Sequence, residues 1–571
     1  MPNGLTIGTM TLQATFECLS VKCSYTGDDN GDATAGIEYK LSSSSTWHNA
    51  YTPYIDRRAT TNGHSNVANQ FQARGSIVGL ANDTSYDIRL TWTDPDGVTG
   101  TNPVTGSIST RTWTPPLGGT QIYVDSAAGG GGDGSSGNPY NTIAAAVTAA
   151  VAGDTINLKG TFGATTITKS GNSGAWIKFQ QWNASLTIGG SSDSMTIVGD
   201  YLWFYNFTVA SSTNNGITVN GSCDFVTFDT LTFPDVATGT PAYGASGISV
   251  STGSTYITAK SCSFNTNSTA TGNDGHGNIA GAVYFRGQGN ITGGHVISDC
   301  TVTGKFRDGF GGEGNGYGDG PVNNSDICHN TVSGMQDDGI ECEGSNINVR
   351  IWDNDILNST GQSILGVAGT NVGPFYVFRN WIHGTNGLAA VKEGNTSPGP
   401  AYFFHNTISA TGAGTGDGFS DLGGPSLSDY GTYLNNIVKT QRYGIYRGGR
   451  NNIYNYNLYN PTGDLVDEYN GTGHYVSRAT FNAGTGQEAN GLQGNPLLNS
   501  DGTLQAGSPA IDTGSLIANF NDSSSPWAYS GSAPDMGFDE YGGFGAPPVI
   551  VAAVIVPDGA IHNQTVAFVR R

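Results

Sequence analysis

Between residues 284 and 343 the chain gathers acids and bases that are sparse elsewhere, in a sequence with only 12% charged residues. Asp308 stands in the turn KFRDG (305–309), and Asp337 and Asp338 stand together in MQDDG (335–339). Glu341 and Glu343 follow in DGIECEG (338–344), and Glu313 ends DGFGGEG (308–314). Lys305, Arg307, Arg286 and Lys392 are the available bases. Crowded carboxylates do two kinds of work. Like charges a few ångströms apart push their pKa values apart, giving an acid and a base. They also hold Ca²⁺, which takes six to eight oxygens. Asp308, Asp337, Asp338, Glu343, Lys305 and Arg307 are therefore the candidate catalytic residues. Arg286, Tyr284, Glu341, Lys392 and His276, from the loop NDGHGN (273–278), are candidates for substrate contact. Glu313, Glu341 and Glu343 are the candidate Ca²⁺ ligands. A single Asp before Gly often bonds only its local backbone. A double Asp beside another Asp and two Glu is harder to explain that way.

These residues need a scaffold that brings distant segments together, and the sequence repeats. One block recurs as NGITVNG (215–221), SGISVST (246–252), GAVYFRG (281–287), DGFGGEG, DGIECEG, QSILGVAG (362–369), DGFSDLG (417–423) and YGIYRGG (443–449). Between its later copies lie CHNTV, DNDIL, FRNWI, FHNTI and LNNIV, whose Asn330, Asn354, Asn380, Asn406 and Asn436 recur every 24–30 residues. A fixed period of this size marks a solenoid. One coil of a parallel β-helix takes about that many residues, with Asn side chains stacked at one turn. Alternation along DGIECEG turns Ile340 and Cys342 inward and Glu341 and Glu343 outward. Asp338 and Glu343 are expected to face solvent, with Arg286, Glu313 and Glu343 aligned on neighbouring coils.

Residues 1–112 differ. LTIGTMTLQATF, AGIEYKL and SYDIRLTWTD alternate like strands, and GDDNGD and DPDG mark turns between strands. This is the pattern of a small antiparallel sandwich. A Pro/Gly linker occupies 113–120, and 121–545 form the solenoid. Asn141 is expected to cap a helix over 142–152 that covers the open first coil. Residues 546–571 form a C-terminal strand and tail, with VIVAAVIV (549–556) as the strand.

The 86 glycines follow no triplet, which excludes collagen, and the net charge of −21 argues against nucleic acid and anionic membrane. No apolar stretch is long enough to span a bilayer. The start MPNGLTIG lacks the features of a secretory signal. Seven scattered cysteines read as free, buried thiols. His329 and His405 read as structural. The acidic, Lys-poor composition fits an extracellular, cell-surface or virion-surface protein.

Two resemblances follow from these residues. GLANDTSYDIRL places Leu80 and Tyr86 at the spacing of a tyrosine corner, and with DPDGVTG the segment resembles a fibronectin type III domain. Residues 121–545 resemble the pectate-lyase-like superfamily of right-handed parallel β-helices. That resemblance implies an all-β fold and a polysaccharide partner. Within the superfamily Asp308, Asp337 and Asp338 match the Asp positions of polygalacturonases, but Gln362 stands where those carry His. Glu341-x-Glu343 resembles the acidic pair of alginate lyases and chondroitinase B, whose relatives use Ca²⁺ and a Lys or Arg base. The sequence leaves open β-elimination, hydrolysis, and a non-catalytic fibre or adhesion protein such as a phage tailspike.

Overall fold

The recurring blocks form stacked strands. In the computed structural model each coil between residues 202 and 461 typically places two strands in a 24-stranded sheet and one in a 13-stranded sheet, both almost entirely parallel. The structure describes residues 3–57, 71–210, 212–237, 244–267, 279–287, 293–312, 320–321, 323–344, 347–358, 363–366, 372–384, 389–393, 399–411, 416–421, 430–449, 451–545, 550–555 and 561–566. The architecture is a parallel β-helix preceded by an antiparallel sandwich. Its apolar bore runs unbroken from Ile122 to Phe481. Because neighbouring coils lie ~4.8 Å apart, aromatic residues one period apart stack along the bore. Phe403 lies over Tyr433 at 4.8 Å, and Tyr433 over Tyr454 at 4.3 Å.

The asparagine column holds one turn of each coil. Asn330 Nδ2 donates to Asn354 Oδ1 at 3.0 Å, and the chain of bonds continues through Asn380, Asn406 and Asn436. It runs one residue further than the sequence pattern indicates, to Asn457, which donates to Glu488 Oε1 at 2.7 Å. Glu488 is fully buried, and burial raises its carboxyl to about 7. The residue before each of these asparagines has positive φ: His329 58°, Asp353 51°, Arg379 54°, His405 54° and Asn435 58°. Such backbone is costly for residues with a Cβ. The ladder bonds that accept the adjoining N–H groups hold it in place.

The first coil is covered by the helix Ile143–Ala149, which buries Ile143, Ala146 and Val147. Its cap is Thr142, not Asn141: Thr142 is extended, and its Oγ1 accepts from Ala145 N–H at 3.3 Å. The helix also ends earlier than the sequence indicates, because Ala150 is already extended. A second helix, Arg478–Thr485, buries Phe481 at the other end of the bore.

Residues 5–109 form two sheets of five and four strands, paired antiparallel except where Leu5–Ala14 meets Val98–Thr99. Ala81 N–H donates to the Tyr86 hydroxyl at 3.0 Å, the backbone bond that a tyrosine corner requires. This unit docks on the 24-stranded sheet. Cys18 and Val78 pack with Trp352, Tyr376 and Phe378, and with Ile517, Phe520 and Trp527 of the C-terminal segment. Arg350 is fully buried there, paired with Asp326, and donates to Ser20 Oγ and Ser76 Oγ at 2.9 and 3.1 Å. All seven cysteines are free and buried. The VIVAAVIV run contributes Ile550–Ile555, paired antiparallel with Ile561–Val566. No helix among the described residues is long and apolar enough to cross a membrane.

Candidate functional site

The acidic blocks stack as four strands of the 13-stranded sheet: Asp308–Gly312, Asp338–Cys342, Ser363–Gly366 and Ala389–Glu393. Phe310, Ile340, Leu365 and Val391 share one register position and enter the bore. The next position, on the opposite face, runs Tyr284, Gly311, Glu341, Gly366, Lys392. Glu341 and Lys392 are thus two coils apart, roughly 10 Å between backbones at the usual strand spacing. Gly366 between them leaves room for the lysine. A Cβ there would lie 2.3 Å from Asp338 Oδ2 and 3.2 Å from Lys392 Cε.

Lys392 reaches back across this gap. Its Nζ lies 2.6 Å from Asp338 Oδ2, 3.2 Å from Glu341 Oε1 and 3.1 Å from Glu343 Oε1. Its side chain is 14% exposed, whereas that of Asp338 is fully buried. Burial pulls the ammonium down, but Asp338, Glu341 and Glu343 together hold its pKa well above that of a free lysine.

The turn aspartates have a double use. Asp338 N–H donates to Asp308 Oδ1 at 3.0 Å, and Ser363 N–H donates to Asp338 Oδ1 at 2.9 Å. The Ser363 hydroxyl also bonds Asp338 Oδ1. One oxygen of each aspartate thus ties coil to coil, and the second oxygen of Asp338 pairs with Lys392. Asp308 Oδ2 and Glu341 Oε2 are buried with no hydrogen-bond donor. Ligand atoms of Asp308, Asp338 and Glu341 lie within 4.8 Å of one another. Acceptors facing acceptors need a proton or a cation between them. Burial first, then Glu341, Asp338 and Asp337, push Asp308 well above the carboxylate range. Burial raises Asp338 to about 6 against the pull of Lys392. Glu341 is raised mainly by burial, against Lys392 and with Glu343.

The remaining candidates are placed unevenly. Arg307 Nε lies 3.5 Å from Asp337 Oδ2, at the edge of the cluster. Lys305 is exposed, and the structure records no contact of its side chain with the carboxylates. Tyr284 is buried two strands before Glu341. Arg286 turns to the preceding coil, donating to Ser249 Oγ at 2.8 Å and to the Gly244 carbonyl. The counter-charge for the acids comes from Lys392, two coils after Glu341. His276 and Glu313 lie outside the described residues, as does Gln362.

One expectation is corrected. Asp338 and Glu343 point away from the bore, yet they are buried rather than solvated, because Lys392 and neighbouring coils cover them. Of the candidate Ca²⁺ ligands, Glu341 shares a set of convergent oxygens with Asp308 and Asp338, Glu343 is turned to the lysine, and Glu313 lies outside the described residues. The sequence reading missed Ser363 and Gly366, and it named Lys392 among the available bases without placing it against Asp338, Glu341 and Glu343. The register would have shown these placements: the segment Ala389–Glu393 pairs with Ser363–Gly366 as a further copy of the recurring block.

These features define a parallel β-helix protein with a buried carboxylate–lysine cluster on the outer face of one sheet. No protein-family model matches the sequence, and no curated protein matches it. Among solved structures it is similar to the pectate lyase Pel9A, at 18% identity over 74% of this chain and 97% of that one, with a TM-score of 0.43. It is also similar to a rhamnogalacturonan lyase, at 16% identity over 68% and 95%, TM-score 0.33. A third is a family 28 exopolygalacturonase of Yersinia enterocolitica, at 11% identity over 81% and 93%, TM-score 0.26.

Proposed function

We propose that this protein cleaves a uronate-containing polysaccharide outside the cell, by β-elimination, with Lys392 as the base. The observation that carries this reading is Lys392 held against Asp338, Glu341 and Glu343, beside buried carboxylate oxygens that lack a donor. β-Elimination requires two things of a site. The uronate carboxylate must be neutralised, and the proton on the adjacent C5 must be taken.

The donor set fits a hard divalent cation: three carboxylates with convergent atoms, all oxygen. Asp308, Asp338 and Glu341 would hold it. A Ca²⁺ bound there would engage the uronate carboxylate and so acidify the C5 proton. Lys392 acts as a base only as a neutral amine. A cation held by Asp338 and Glu341 would compete with Lys392 for those carboxylates, leaving Glu343 as its partner, and would so favour the neutral amine. Lys392 as the neutral amine takes the C5 proton, the C5–H electrons form the C4–C5 double bond, and the C4–O bond breaks with its electrons passing to the leaving oxygen, which takes a proton from water. The acidic, lysine-poor composition supports the extracellular location.

Hydrolysis is the second reading. It is favoured by the different surroundings of the two aspartates: burial and neighbouring carboxylates raise Asp308, whereas Lys392 pulls against the rise of Asp338, the kind of difference that separates an acid from a base. A panel of polysaccharides, read by the absorbance of unsaturated ends and by reducing sugar, with and without chelator, separates the readings. Elimination gives unsaturated ends that vanish with chelator. Reducing sugar without absorbance establishes hydrolysis, and no cleavage of any polymer leaves a non-catalytic β-helix rod.

A further inference from the structure

A second carboxylate cluster lies in the N-terminal sandwich, where loop 27–33 follows the strand Leu19–Thr26 and loop 94–97 follows Ser85–Thr93. Ligand atoms of Asp28, Asp32 and Asp94 lie within 4.8 Å of one another. Three acids on two turns do not make a site by themselves. The second observation is the state of Asp94. It is 8% exposed, its Oδ1 accepts from Asp96 N–H at 2.7 Å, and its Oδ2 is buried with no hydrogen-bond donor. A buried carboxylate oxygen left bare costs folding free energy unless a cation or proton meets it.

The surroundings account for the other oxygens. Asp28 is buried; its Oδ1 accepts from Ala33 N–H at 3.0 Å and its Oδ2 from Arg57 Nε at 2.9 Å. Asn30 Nδ2 bridges Asp32 Oδ2 and Asp96 Oδ2 at 3.0 and 2.8 Å, which draws the two loops together. Among the described residues, Arg57 is the one cation recorded against these aspartates, paired with Asp28. Desolvation first, and then repulsion from Asp94, Asp96 and Asp28, raise the Asp32 carboxyl.

We propose that this end of the sandwich binds a divalent cation, with Ca²⁺ as the best match, through Asp94, Asp32 and Asp28, with water filling the remaining positions. All donors are hard oxygens on turns, which suits the large and loosely defined shell of Ca²⁺. The cation ties the loop 27–33 to the loop 94–97. The site is separate from the carboxylate–lysine cluster: it lies at the Thr26 end of a strand whose Leu19 end docks on the β-helix, about 20 Å away by strand rise. It does not rest on the proposed reaction.

The test uses the full chain and Tb³⁺ luminescence, since Trp92 is two residues from Asp94 and packs against Tyr25 at 5.1 Å. Trp-sensitised Tb³⁺ emission, its displacement by Ca²⁺, and Ca²⁺ stoichiometry by calorimetry are measured for the parent, Asp94→Asn and Asp32→Asn. The expected Ca²⁺ affinity is in the range of extracellular modules, about 10⁻⁴–10⁻³ M. Asp94→Asn should remove one Ca²⁺ equivalent and the emission, and leave polysaccharide cleavage unchanged. Asp32→Asn, at the exposed rim, should weaken binding about tenfold without unfolding, and so decides the matter if Asp94→Asn does not fold. Parent-like Ca²⁺ stoichiometry and affinity in both variants, or a parent that shows no displaceable emission, overturns the proposal.

Discussion

At the scale of single residues, the site turns on one lysine and one missing side chain. Arginine at 392 keeps the charge that holds Asp338, Glu341 and Glu343 but cannot give up its proton. Lys392→Arg should therefore fold with a melting temperature within a few degrees of the parent and lose 10²–10⁴-fold in kcat. Full activity in that variant removes Lys392 as the base. Gly366→Ala puts a methyl 2.3 Å from Asp338 Oδ2 and forces the Asp338–Lys392 pair apart. It should cut activity while leaving the bore intact, read by turnover beside far-ultraviolet circular dichroism. Asp338 gives a pH signature. Its carboxyl is raised to about 6 in the folded chain, above the ordinary aspartate value of 3.8. The native state then binds more protons than the unfolded chain in that window, so this group's contribution to stability falls as pH rises from about 4 to 6. Asp338→Asn should flatten that fall in urea titrations. Added Ca²⁺ should stabilise the parent more at pH 7 than at pH 5, because protonated Asp338 is no ligand.

At the scale of elements, the coil is set by its asparagine turn. Asn406 donates to Asn436 Oδ1 and Val377 O, and accepts from Asn380 through Nδ2 and the backbone N–H. Removing it strands partners in adjoining coils, each costing about 1–3 kcal/mol when buried. Asn406→Ala should lower the urea midpoint markedly, while a substitution at exposed Lys305 should leave it in place. This ladder was legible in the sequence because one residue type recurs at one period and has one structural use. The outward face of the sheet that carries the carboxylate–lysine cluster was less legible. Asp308, Asp337, Asp338, Glu341 and Glu343 stood out as a cluster. The role of Lys392 depends on a gap at Gly366, and a glycine in a chain with 86 of them carries no signal until register is known. Burial of Asp338 and Glu343 was hidden for a similar reason: alternation tells which face a side chain leaves from, not what covers it. The helix cap slipped by one residue because Asn141 and Thr142 are both competent caps.

At the scale of the whole molecule, the sandwich and the β-helix share a buried interface on the sheet that does not carry the carboxylate–lysine cluster. His329 sits at its margin. Its Nδ1 is 3.0 Å from Asp353 Oδ2 of the β-helix, its Nε2 is 3.5 Å from Glu17 Oε2 of the sandwich, and its ring meets Trp352 edge-on at 4.4 Å. Burial pulls the imidazolium down, but the two carboxylates overcome it and raise the pKa to about 10. A histidine in an unfolded chain titrates near 6.5. The sign follows from linkage: the native state keeps a proton that the unfolded state has lost between pH 6.5 and 10. This contribution to stability is complete below about pH 6.5 and is lost as pH rises to about 10. His329→Gln keeps a polar side chain but no charge. It should melt several degrees below the parent at pH 6, and the difference between the two proteins should shrink steadily and close by about pH 10. Taking the difference cancels groups common to both, including Lys22, whose burial lowers it to about 8. A gap of constant size from pH 6 to 10 would mean that His329 contributes by packing on Trp352 alone. Cleavage of polysaccharide at temperatures below both melts should be the same in the two proteins, since the docking face and the reacting face are different sheets of one solenoid.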